Sequence, residues 1–314
     1  MNRINHILVV VDPSVRGRQA AVDKAAILAR SFDTSVELLV CDIESARDDH
    51  KFALHAHKTH PSNTQLLELL DGLAAPMRAQ GLGVTVRVIY GETLHDSLLD
   101  YVRGSNADVV IKGTHHHAFA RRTFLRNTDW HLANGCPVPL LLTQGRKWGE
   151  HPVVMAAVDR ARENAAALDR RILNCAALLA EHLTGDLHVI HMYIPAALAA
   201  AVASGTLGTT GESAEGLQVE NTFRYCQMEH LATVYGVRSE RLHVEMGTPD
   251  ERLIDSVMKY RTDVMVMGAS SHGSLHRMLV GSTMSTVLET LACDVLVVRP
   301  DDPTKSAITS SMPT

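Results

Sequence analysis

Two stretches of the chain open alike. Ile7-Leu8-Val9-Val10-Val11 is an unbroken apolar run that stops at Asp12, and Val153-Val154-Met155-Ala156-Ala157-Val158 stops in the same way at Asp159. Aliphatic runs this short, without polar alternation, predict strands buried on both faces, as in a parallel sheet. A helical spacing follows each: Ala21, Val22, Ala25, Ala26 and Ala29 in the first, Leu168, Ile172, Cys175, Ala176 and Leu179 in the second. Further strands are predicted over Val36 to Cys41 and Leu187 to Met192. The correspondence then tightens. Leu98 to Gly113 lies without a gap over Leu253 to Gly268, with six of sixteen positions identical, among them Asp100/Asp255, Asp108/Asp263 and Gly113/Gly268. Gly91 and Gly247 each open the helix of that segment, and Cys136-Pro137-Val138 and Cys293-Asp294-Val295 each begin a closing strand. The matched order of strands and helices predicts an α/β chain of two tandem doubly wound, five-stranded parallel-sheet domains.

The boundary falls in the polar, glycine-bearing stretch Gln144 to Pro152, which sets the domains at residues 1–145 and 152–300. After Pro300 the chain is rich in Asp, Pro, Ser and Thr, and residues 301–314 are expected to be a disordered tail. Ala203 to Gly211 interrupts the second half with small and turn residues. The apolar, alanine-rich stretch Ala196 to Ala203 before it is expected to be a helix packed across a domain interface rather than the lining of a lipophilic pocket.

Composition agrees with two folded domains. A chain of 314 residues suits two units of about 150, and 46% hydrophobic residues against 21% charged supply cores rather than disorder. A net charge of -5 gives no global attraction to nucleic acid or an anionic membrane. The apolar run at the N-terminus is too short for a signal peptide and lacks a cleavage site, and no stretch approaches the roughly 18 apolar residues of a membrane span. The five cysteines are dispersed and form no Cys-x-x-Cys pair. They read as reduced thiols packed as small hydrophobes, which together with the missing leader predicts a cytoplasmic protein.

In such sheets ligands sit beyond the carboxyl ends of the strands, where strand order reverses. Asp12 and Asp159 stand at that end of the first strands, Gly113 and Gly268 at that end of the fourth. In the second half, the loop from Gly268 runs through Ser271 and Gly273 to Gly281-Ser282-Thr283. Glycines admit a phosphate close to the backbone. Ser282 and Thr283 then offer hydroxyls and amide N–H groups where a helix begins, and the helix dipole favours an anion there.

These residues resemble the universal stress proteins, and the two-domain layout resembles their tandem E type. The family's loop reads Gly-x2-Gly-x9-Gly-Ser/Thr, and members that carry it bind ATP. Here the frame gives Gly268, Ser271 in place of the second glycine, then Gly281-Ser282, so three of four elements match. The resemblance implies that Asp159 and the backbone near Met192 hold adenine and ribose, and that Gly268, Ser271, Gly281, Ser282 and Thr283 hold the phosphates. The alternative is that Gly268 and Gly281 serve turn geometry alone and the site is degenerate. In the first half the same frame gives Gly113, then His116 and Arg126-Asn127, which removes two glycines and argues against an ATP site there. Thr128 to Leu132, with Cys136-Pro137 beyond, is similar to the first half of E-type proteins.

Other clusters have plainer readings. His115-His116-His117 and the histidines at 55, 57 and 60 lack a cysteine or carboxylate at ligand spacing, and read as exposed loop residues rather than a metal site. Lys112, Arg121, Arg122 and Arg126 form a basic run, read as solvated surface because no nucleic-acid motif accompanies it. No nucleophile elbow, Walker A lysine or paired carboxylates mark an enzyme, so at most a slow ATP hydrolysis is expected. The expected partners are an adenine nucleotide and an unidentified protein. Two alternatives stand beside nucleotide sensing. One is an interaction scaffold that pairs its closing strands, Pro139 to Leu142 and Val295 to Val298, and the other is a slow adenine-nucleotide hydrolase. Monomer with internal domain pairing and homodimer are both open.

Overall fold

The computed structural model describes residues 3–15, 17–43, 62–114, 122–159, 165–196, 199–200, 214–269 and 290–300. In chain order the elements are β1 (His6–Val10), α1 (Ala20–Phe32), β2 (Ser35–Asp42), α2 (Asn63–Ala79), β3 (Val84–Tyr90), α3 (Leu94–Gly104), β4 (Val109–Gly113), α4 (Arg122–Gly135) and β5 (Leu140–Thr143). The second series is β6 (Val153–Val158), α5 (Ala165–His182), β7 (Asp186–Tyr193), α6 (Ala214–Val234), a 3-10 turn (Ser239–Arg241), β8 (Leu242–Met246), α7 (Pro249–Lys259), β9 (Val264–Gly268) and β10 (Asp294–Val298). No helix among the described residues is long and apolar enough to cross a membrane.

The chain divides into two compact units, Met1–Lys147 with Asp294–Thr314, and Trp148–Cys293. In the first, the strand order is β3-β2-β1-β4-β5-β10, parallel throughout except at its last pair, where β10 runs antiparallel to β5. In the second the order is β9-β6-β7-β8, and every described pair is parallel. The closing strand of the second repeat therefore groups with the first unit. Val295 lies opposite Leu142, Leu296 opposite Leu141 and Val297 opposite Leu140.

Burial explains the unbroken apolar runs. Ile7, Leu8 and Val9 are wholly enclosed, as are Val154, Met155 and Ala156 in the second unit. Each of these side chains larger than alanine contributes roughly 1.5–3 kcal/mol of apolar transfer when fully buried. Helix α1 buries Ala21, Val22, Ala25, Leu28, Ala29 and Phe32 as one face, the spacing expected of a helix laid on a sheet. It ends at Asp33 in the left-handed region (φ 50°), and α5 is followed by Thr184 in the same conformation (φ 49°). The next residue in the second unit is Gly185, where a Cβ would overlap the Pro152 carbonyl oxygen.

The matched aspartates of the repeat do matched work. Asp108 Oδ2 accepts from the backbone N–H groups of Asn5 (2.7 Å) and His6 (3.1 Å), and Asp263 Oδ2 accepts from that of Val153 (3.0 Å). Each carboxylate thus satisfies backbone donors where the first strand of its unit begins, at the edge away from the strand carboxyl ends. Gly91 is required by packing, since a Cβ there would overlap Ser97 Oγ. Four cysteines are buried as small hydrophobes, but Cys226 on α6 is exposed, a departure from the uniform packing expected of them.

Candidate functional site

Strand β6 has β7 on one side and β9 on the other, all parallel, so the carboxyl ends of the three strands emerge at one edge. Asp159 follows the last residue of β6, Met192 is the penultimate residue of β7 and Gly268 closes β9. This is where successive connections leave in opposite directions, the switch point of a doubly wound sheet. Ser271, Gly281, Ser282 and Thr283 lie outside the described residues, as do His115 to His117, the histidines at 55, 57 and 60, and the tail.

The turn after β6 is fixed from below by α5. The backbone N–H of Asp159 donates to Asp169 Oδ1 at 3.1 Å, and Asp169 is buried. His191 on β7 is also enclosed. Its Nδ1 lies 3.1 Å from the Val158 carbonyl oxygen, which can only accept, so that nitrogen carries the proton. Two residues on, Tyr193 is buried with the Arg224 guanidinium of α6 5.5 Å from its ring centroid, and Arg224 in turn pairs with Glu220 at 3.4 Å. Gly268 meets a packing demand of its own: a Cβ there would come within 2.7 Å of Leu168 Cδ2 and 3.3 Å of Ile172 Cδ1.

Asp169, His191 and Arg224 were not among the residues picked out from the sequence. A carboxylate on the sheet-facing side of a helix, and a histidine inside an apolar strand, are the two features that point to the first pair. Nothing in the sequence links Arg224 to Tyr193, because the two lie far apart along the chain.

The corresponding edge of the first unit holds different chemistry. Asp12 forms an exchange of bonds with Gln19: its backbone N–H donates to Gln19 Oε1 (3.0 Å) and its carbonyl accepts from Gln19 Nε2 (2.9 Å). Its carboxylate accepts from the Ser14 N–H at 2.8 Å. On β4, Lys112 Nζ stands 2.7 Å from Asp129 Oδ1 of α4 and donates to the Gly113 carbonyl at 3.1 Å. Lys112 is buried, which corrects its expected place in a solvated basic run; an ammonium inside the fold is tolerated because a carboxylate faces it. Beyond Gly113, Thr114 continues strand bonding to the Thr143 carbonyl through both its N–H (2.8 Å) and its hydroxyl (3.0 Å). A cation already neutralised by Asp129 has little left to offer a phosphate.

Comparison with known proteins adds ancestry to this geometry. The model of the Universal stress protein family matches residues 3–144 and again residues 152–299. Universal stress protein E of Escherichia coli (strain K12) is 24% identical over 226 residues, covering 70% of each chain. The Universal stress protein E homolog of Haemophilus influenzae is 22% identical over 313 residues, 95% of this chain and 98% of its own. Among solved structures, a functionally unknown protein from Pseudomonas aeruginosa PAO1 superposes with a TM-score of 0.69 at 24% identity, covering 98% of both chains.

Proposed function

The chain belongs to the universal stress protein family, in tandem form, and from that premise we propose that its second unit binds an adenine nucleotide, ATP, whose occupancy governs a stress-response interaction in the cytoplasm. Asp159 and the backbone at Met192 would hold the nucleoside, and Gly268, Ser271, Gly281, Ser282 and Thr283 the phosphates. The observation that carries this reading is the shared edge at which β6, β7 and β9 deliver Asp159, Met192 and Gly268. The contrast between the units supports it: the first fills the same edge with the Lys112–Asp129 pair.

The reading predicts that protein purified without added ligand carries substoichiometric adenine nucleotide, released by acid extraction and identified by chromatography. Gly281→Arg copies Arg126 of the first unit and is expected to abolish that binding. Nucleotide retained by the Gly281→Arg protein would refute the site assignment. Hydrolysis is expected to stay below about one turnover per minute, since typical enzymes run near 10 per second and the sequence carries none of the recognised catalytic motifs.

A second reading, an interaction scaffold with both sites empty, is favoured by one feature. The closing strands β5 and β10 pair antiparallel, as that reading requires. Purified protein free of nucleotide and indifferent to added ATP would favour it.

A further inference from the structure

The two units carry different chemistry at one equivalent place, toward the amino ends of their strands and away from the candidate nucleotide edge. Strand register defines the equivalence. Val109 and Val264 correspond in the gapless repeat; Val109 lies opposite Ile7 and Val264 opposite Val154, so Ile7 corresponds to Val154. One residue earlier, His6 opposite Ser35 corresponds to Val153 opposite Asp186, which carries Glu37 onto His188. The neighbouring strands then match Arg87, opposite Leu39, with His243, opposite Ile190.

In the first unit this place is an ion pair. Buried Glu37 accepts from Arg87 Nε (2.7 Å) and Tyr101 Oη (2.8 Å), and lies 3.4 Å from His6 Nε2. Burial pushes the Glu37 carboxyl up, but its bonds from Arg87, Tyr101 and His6 outweigh burial and hold it below the usual 4.5. Glu37 and Arg87 therefore keep their charges through mild acid.

In the second unit the same place is a pair of histidines. His188 Nδ1 and His243 Nε2 are 3.0 Å apart, and the Tyr260 ring stacks on His243 at 3.8 Å between centroids. His243 is buried. One ring can donate only while the other keeps its lone pair. When both are protonated, two N–H groups bearing positive charge face each other across the same gap. The surrounding charges offer little relief, because each carboxylate already has a cation. Asp186, at the start of β7, pairs with Arg241 of the 3-10 turn at 2.8 Å. Glu245 of β8 pairs with Lys259 of α7 at 3.2 Å and accepts from Tyr260 Oη at 3.4 Å. From β6, the residue opposite His188 is apolar Met155.

We propose that the His188–His243 pair is a proton-operated latch, through which mild acid releases β8 and α7 of the second unit while β3 and α3 of the first stay closed. The titration runs in the required direction. Burial first, then His188 and Lys259, push His243 down to about 4, and burial followed by Arg241 lowers His188. A histidine lowered in the folded state takes up its proton more readily when unfolded. The stability it carries is complete above the ordinary value of 6.5 and is lost as pH falls from there through about 4.

The test is peptide-resolved hydrogen exchange on the full chain between pH 7.5 and 5, corrected for the intrinsic exchange rate. Protection in β8 and α7 is expected to fall below pH 6.5 by up to about tenfold per pH unit for each proton the pair withholds, while β3 and α3 hold level. His243→Gln keeps a hydrogen-bonding side chain without a titrating ring, and is expected to flatten the slope. Should that variant fail to fold, NMR titration of the wild-type imidazoles serves instead, with both expected to protonate below 6.5. Equal slopes in the two units, ordinary imidazole titration, or a slope that survives in His243→Gln would overturn the proposal. In the last case the sensitivity would arise from a group other than His243.

Discussion

Lys112 and Asp129 face each other at 2.7 Å with side chains only 7% and 12% exposed, so neither charge can turn to water. Removing one member of such a pair strands the other and costs about 3–5 kcal/mol, whereas replacing both with apolar groups is often close to neutral. Asp129→Asn should therefore destabilise the first unit by about 3 kcal/mol in a urea titration. The double change Lys112→Met with Asp129→Leu should return to within about 1 kcal/mol of wild type, since Met267 already occupies the position that corresponds to Lys112. A double variant as weak as the single one would mean that the pair acts as more than mutual neutralisation. The sequence concealed this site for a physical reason. A lysine beside three arginines looks like a surface patch, and its partner lies on a different element, brought near only when α4 packs on the sheet.

At the level of elements, the repeat extends to backbone conformation. Asp33 and Thr184 each follow the first helix of their unit with positive φ. The two are not equally suited to it: aspartate visits the left-handed region with some ease, but a β-branched threonine crowds its own backbone there, at a cost of roughly 1–2 kcal/mol. Thr184→Asn is expected to raise the unfolding midpoint of the second unit, by about 0.5–1 kcal/mol in stability. A drop would mean that the Thr184 hydroxyl, which donates to the Leu183 carbonyl at 2.7 Å, matters more than the backbone. Most of the strands and helices were legible in the apolar runs, because parallel strands covered on both faces leave an unmistakable aliphatic signature. The same runs explain why Glu37, His188 and His243 escaped notice. A polar residue inside an apolar strand announces a partner but not which strand supplies it, and only the register does that.

For the whole molecule, the last strand matters most. By order in the chain β10 ends the second repeat, yet it groups with the first unit. Its apolar residues would suit either unit, which is why the sequence could not settle its allegiance; the polar residue at its start is more telling. Asp294 Oδ1 accepts from the Gln144 N–H at 2.7 Å, and its other oxygen lies 3.3 Å from Lys24 Nζ of α1, with both side chains enclosed. Asp294→Asn should thus weaken hydrogen-exchange protection in α1 and β5 of the first unit, leaving α5 and β6 of the second unchanged; the reverse pattern would assign the strand to its own repeat. The candidate site was legible only in outline: Asp159, Met192 and Gly268 come to one edge, whereas the Lys112–Asp129 filling of the other unit came from the structure alone. The central claim is that nucleotide binding is confined to the second unit, and calorimetric titration of nucleotide-free full-length protein with ATP tests it most directly. The account predicts one ATP per chain, undiminished in Asp12→Ala and lost in Gly281→Arg; two per chain, none, or binding that survives Gly281→Arg would contradict it.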